Sequence, residues 1–193
     1  MKKQWMKWLV VGCGVFASSL AYSVEVESAI HGGMAYESRS STGFKSVSGS
    51  MLMLDALGSV KPYLQLGIRT AASGGSRDQA SFYRLATGPL MQVEVYEGWL
   101  VQVALGMFQE TGVTDDEAQS YRSRGNTVML GWERYVHLNP QLLFTWGGFF
   151  QYYSGGIEKE AATSAINGAS RFQNVETNRG LAHGIEIGFR MIL

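Results

Sequence analysis

Bulky apolar side chains alternate one for one with small, polar or charged ones over most of this chain, and that period of two confines it to strands whose faces meet different surroundings. The pattern is cleanest over residues 99–109, where Trp99, Val101, Val103, Leu105 and Met107 alternate with Leu100, Gln102, Ala104, Gly106 and Phe108. It returns over 63–72, 82–96, 142–152 and 180–193, and around 127–136. Gly and Ser dilute it over 29–37 and 45–57, the two segments that complete a set of about eight strands.

Sorting the strands by face gathers the ionised groups on one side. Arg69 lies opposite Leu66 and Ile68, Arg84 and Glu94 opposite Leu85, Met91 and Val93, Glu133 opposite Leu130 and Trp132, and Glu186 and Arg190 opposite Ile187 and Phe189. Two closed structures accommodate such strands. A soluble barrel points its greasy face inward. A membrane barrel points it outward, because a charged side chain at the bilayer midplane costs about 2–4 kcal/mol on the lipid face. In the second case Arg69, Arg84, Glu94, Glu110, Glu133, Glu186 and Arg190 form an interior charge network.

The amino-terminal segment bears on the choice. Residues 1–23 carry Lys2, Lys3 and Lys7 and no acid, then run apolar over 8–20 and end on small residues, the layout of a secretory signal peptide. Cleavage is expected after Ser23 or Ala21; a lipobox ending at Cys13 is the rival reading. Residues 24–193 then form one domain. Losing the leader leaves 13 basic residues against 16 acidic ones, a formal charge of −3, so no basic face invites a nucleic acid. The only cysteine leaves as well, which excludes disulfides and thiolate metal sites. No later stretch has the roughly 18 unbroken apolar residues of a membrane-spanning helix. An exported chain that spans a membrane without one must close a barrel, since open strand edges leave backbone groups unpaired in lipid.

The links carry an independent regularity. Those at 58–62, 97–98 and 138–141 are short, whereas those at 38–44, 73–81, 111–124 and 154–177 are longer and polar. Short turns on one rim and long loops on the other describe an outer-membrane barrel with periplasmic turns and both termini in the periplasm.

In this architecture the chain resembles the small eight-stranded outer-membrane barrels of the OmpA and OmpX type. The most specific part is the carboxyl end, where Glu186, Gly188, Met191 and Leu193 fit the polar, glycine and apolar positions of the family's assembly signal, with Leu193 in place of the usual phenylalanine. The resemblance implies an all-β, up-and-down transmembrane barrel, monomeric, surrounded by outer-membrane lipid and lipopolysaccharide, and inserted by the barrel-assembly machinery. It also implies that the inward charges plug the barrel, giving a structural or surface-exposed protein. A narrow channel for small solutes is the alternative, and a soluble periplasmic ligand-binding barrel a more distant one.

Tyr36, Tyr83, Tyr96, Trp99, Trp132, Trp146, Tyr152 and Tyr153 are candidates for two interfacial aromatic girdles, Tyr96 and Trp99 on the turn side and Tyr83 and Tyr152 on the loop side. No catalytic residue, cofactor or metal site is expected. His183 is followed by Gly184 and Ile185 rather than by the serine two places on that lipid A deacylases carry, and His137 reads as a rim residue. HExxH, GxSxG and EF-hand patterns are absent, and Asp115, Asp116 and Glu117 read as a solvated acidic loop.

Overall fold

The computed structural model describes residues 25–39, 46–77, 80–114, 120–160 and 172–193. The expected leader, with Cys13, and the acidic loop residues Asp115 to Glu117 lie outside the described residues. Eight strands follow in order: β1 (Val26–Arg39), β2 (Val47–Lys61), β3 (Leu64–Arg77), β4 (Ala80–Tyr96), β5 (Trp99–Val113), β6 (Ser120–Asn139), β7 (Leu142–Glu160) and β8 (Phe172–Ile192). Each pairs antiparallel with the next, and β8 returns to β1 from Glu27↔Ile192 up to Arg39↔Gly180, so the sheet closes with no free edge.

Side-chain burial follows the period of two. On β4, Phe82, Arg84, Ala86, Leu90 and Gln92 are buried inside the ring, while Tyr83, Leu85 and Met91 stand exposed outside. The same inversion, charges in and aliphatics out, holds on β3, β6 and β8, with Leu66, Ile68, Leu130, Ile185 and Ile187 outward. Arg134, on the outward face of β6, lays its guanidinium 5.2 Å from the Trp99 ring near the turn rim, where an amphipathic side chain can reach a polar interface.

The turn at 97–98 falls where expected, the other two are tighter than expected, and the strands are longer. Pro62–Tyr63, Glu97–Gly98 and Pro140–Gln141 are two-residue turns, and Gly98 takes the positive φ of 73° that such a turn requires of one residue. On the other rim the segment 73–81, expected as a loop, is mostly ladder: Ser73 pairs with Arg84, Gly75 with Phe82 and Arg77 with Ala80. Gly and Ser erase the side-chain contrast there, but backbone pairing does not need it. At 14–21 residues the strands exceed the roughly 9–11 needed to cross a bilayer, so the hairpins continue past the loop-side interface.

One place in the wall is imperfect. Between β4 and β5 the register passes from Thr87↔Met107 to Leu90↔Ala104, omitting Gly88 with Gly106 and Pro89 with Leu105. Both omitted pairings need a hydrogen bond from the nitrogen of residue 89 to the Leu105 carbonyl, and proline has no hydrogen to give. A small cavity of about 20 Å³ lies at this spot, lined by Arg69, Ala71, Ala86, Ala104, Gly106 and Met129 among others.

Candidate functional site

The barrel interior is stacked in three layers. Nearest the turns, Arg69 forks onto Asp55 at 2.6 and 2.8 Å and reaches Gln102 Oε1 at 2.8 Å. Beside it Arg190 donates to Glu27 at 3.1 Å, Gln65 at 3.0 Å, Gln92 at 2.8 Å and Glu133 at 3.2 Å. Gln102 closes the circuit by donating to Gln92 at 3.1 Å and to Glu133. Glutamines serve well here because one amide both gives and accepts, passing the network from strand to strand. Glu94 is half-buried at the turn rim, accepting from Tyr135 Oη at 2.8 Å and from the Gly98 N–H at 3.0 Å.

The middle layer is apolar: Met51, Met53, Ala71, Met129 and Phe149, with Ala35 and Ala104 against them. Above it the loop-side layer centres on Arg84. Its guanidinium binds Glu110 Oε2 at 2.5 and 2.8 Å and Glu37 at 2.9 Å twice, and stacks 3.7 Å from the Tyr153 ring centroid. Tyr153 donates to Glu37 at 2.5 Å and Tyr121 to Glu110 at 2.7 Å, while Phe82 and Phe108 flank the cation. Gly180 makes this possible, because a Cβ there would stand within the Tyr153 phenol.

Arg69, Arg84, Glu110, Glu133, Glu186 and Arg190 are thus all buried inside the ring, and all but Glu186 join two separate networks rather than one. Sequence reading left Glu27, His31, Glu37 and Asp55 out of the interior network, and weighed His31 only with His183 as a catalytic histidine; all four are equally buried. They share the inward parity of β1 and β2, where Gly, Ser and Ala blur the alternation on β1 and apolar residues on both faces, Met51 to Leu54, blur it around Asp55. Glu186 has a different environment from the rest: neither of its carboxylate oxygens has a hydrogen-bond partner, and neither does His31 Nε2.

Outside, Trp99, Trp132 and Trp146 form one cluster next to the β4–β5 turn, with ring centroids 5.7–5.9 Å apart. Tyr96 is exposed beside them, and Tyr83, Tyr152 and Tyr36 are exposed higher up. Tyr153 is a correction: it points inward and is fully buried, because its place in the alternation puts it on the side of Arg84. His183 faces outward between Tyr36 and Phe150, and His137 is exposed at the turn rim against Tyr135.

A closed ring of eight up-and-down strands with an ionic interior and an aliphatic exterior defines the class of small membrane-spanning β-barrels. No family model matches the chain, and no curated protein matches it. Among solved structures it is similar to neisserial surface protein A, at 10% identity and a TM-score of 0.51, covering 86% of this chain and 97% of that one. It is likewise similar to Ail, the attachment invasion locus protein of Yersinia pestis, in the complex with the heparin analogue sucrose octasulfate, at 13% identity and a TM-score of 0.52, covering 86% and 99%. At these identities the likeness is one of fold: the chain has the architecture of the eight-stranded outer-membrane barrels.

Proposed function

We propose that the chain is an integral outer-membrane protein whose filled interior makes it a scaffold for its loop-side hairpins rather than a conduit or a catalyst. The inversion of polarity carries this reading. Aliphatic side chains cover the outside where a soluble protein would carry charge, while Arg69, Arg84, Arg190 and their carboxylates cross-link the inside. Removing one member of such a buried pair costs about 3–5 kcal/mol, so the networks hold the bore shut. A cavity of about 170 Å³ opens at the turn rim, but its inner lining is Gln92 and Arg190, both engaged in the network.

In this reading the apolar belt meets outer-membrane lipid and lipopolysaccharide, and Glu186, Gly188, Met191 and Leu193 on the last strand address the barrel-assembly machinery during insertion after export. The barrel is a monomer, with its turns in the periplasm. Two measurements test it. The protein should partition with outer membranes, require detergent for extraction, and migrate faster on SDS gels before boiling than after; recovery in soluble periplasm would overturn the membrane assignment. In planar bilayers it should give no reproducible single-channel current, and steady unitary steps would replace the scaffold with a narrow channel.

A further inference from the structure

We propose that the turn-side layer contains a buried site for one divalent transition cation of the Zn²⁺ type, ligated by His31, Glu133 and Glu186. One ligand atom from each residue lies within 4.8 Å of the others, and the three side chains come from β1, β6 and β8. Zinc bonds of about 2.0–2.2 Å in a tetrahedron bring ligand atoms to roughly 3.4 Å, a closure that carboxylate rotation supplies.

The orphaned atoms point to the ligand. Glu186 is 1% exposed, His31 and Glu133 0%, yet both oxygens of Glu186 and Nε2 of His31 lack hydrogen-bond partners. A buried carboxylate without a partner is costly, and native proteins rarely leave one bare. Formal charge says the same. The layer buries the four carboxylates of Glu27, Asp55, Glu133 and Glu186 against the two guanidinium groups of Arg69 and Arg190, an excess of two negative charges with His31 neutral. One divalent cation cancels that excess.

The histidine is held for the purpose. Its Nδ1 lies 3.4 Å from Thr145 Oγ1, which leaves Nε2 turned toward the acids, 3.5 Å from Asp55 Oδ2. Gly188 leaves the ring its room, since a Cβ there would lie 2.8 Å from Nδ1. One imidazole with carboxylates suits Zn²⁺ or Mn²⁺ rather than Ca²⁺ or Mg²⁺, which prefer oxygen alone. The site lies beneath an acidic vestibule: the turn-rim cavity is lined by Glu25, Glu27 and Glu94, and its floor, Arg190, contacts Glu133.

The test uses the full chain folded in detergent, stripped with a chelator, incubated with ZnCl₂, desalted and assayed for metal by mass spectrometry. We expect one Zn²⁺ per chain, competition by Mn²⁺ but not by Ca²⁺, and a thermal midpoint that rises with Zn²⁺ concentration. Glu186→Gln should weaken retention at least about ten-fold while keeping the heat-dependent gel shift. Glu110→Gln, in the other layer, should retain the metal. Zinc retained equally by wild type and Glu186→Gln, or by neither, would overturn the site. If Glu186→Gln does not fold, zinc X-ray absorption on the wild type decides: one imidazole with oxygen ligands supports the site, and none or several imidazoles overturn it. The conductance result bears on the scaffold reading alone, so the two can fail separately.

Discussion

The two ionic layers inside this barrel are built from the same residue types and end in opposite states. Around Arg84 every charge is answered: two carboxylates share one guanidinium, two tyrosine hydroxyls donate to those carboxylates, and three rings enclose the cation. Around Glu186 the ratio of carboxylates to guanidinium groups is the same, yet atoms of one acid and one imidazole stay unanswered. A clamp is complete by itself, whereas a ligand set is complete only with its ion. The apolar layer of Met51, Met53, Met129 and Phe149 between them keeps the two from neutralising each other.

Breaking the clamp should have the largest effect. Arg84→Met leaves Glu37 and Glu110 buried without the cation they share, and should lower unfolding stability by about 3–5 kcal/mol, read from urea unfolding of the barrel in lipid vesicles by tryptophan fluorescence. Next comes the pair of matched amides. Glu110→Gln gives up a charged partner of Arg84 and should cost about 1.5–3 kcal/mol. Glu186→Gln gives up no hydrogen bond and removes a surplus charge, so the metal-free barrel should be as stable as wild type or more so. Saturating Zn²⁺ should reverse that order. Equal losses from the two substitutions in chelator would erase the distinction between the layers.

Glycine gives a smaller effect in each layer. Gly180→Ala pushes on the Tyr153 phenol and should cost about 1–3 kcal/mol by overpacking. Gly188→Ala pushes on His31 and should also reduce zinc retention, which Gly180→Ala should leave intact. Metal content measured beside stability separates the two.

How much of this the sequence discloses depends on the strand. On β4, β6 and β8 the contrast between Tyr83 or Leu85 and Arg84, Leu130 and Glu133, or Ile187 and Glu186 is large, and both fold and inward charges are legible. On β1 the inward Glu37 is lost among Gly, Ser and Ala, and on β2 Asp55 is lost in a run apolar on both faces, although their parity with Ala35 and Met53 holds the information. Hairpin length escapes for the same reason: Gly74, Gly75 and Ser76 carry no amphipathic signal, but their backbones pair. The cluster of His31, Glu133 and Glu186 has no local spacing at all, since closing the ring brings β1 against β8 and pairing through Gly147 of β7 sets Glu133 level with Glu186. Tyr153 shows the converse error, an aromatic assigned by type rather than by parity.

The smallest expected effect lies in the wall beside the apolar waist. At Pro89 the β4–β5 ladder lacks one hydrogen bond to the Leu105 carbonyl, and the side chains facing inward nearby, Ala86 and Ala104, are too short to cover the gap. Pro89→Ala restores a donor at a position whose strand conformation is already set by pairing with Ile68. A single restored backbone bond contributes about 0.5–1.5 kcal/mol, so the variant should unfold at slightly higher urea. Because the gap borders Arg69 but not Arg84, the same variant should leave the loop-side clamp unchanged: combined with Arg84→Met, its gain should add independently. A gain that vanished in the Arg84→Met background would mean that the waist transmits strain between the layers, and the separation drawn between clamp and ligand set would have to give way to one coupled interior.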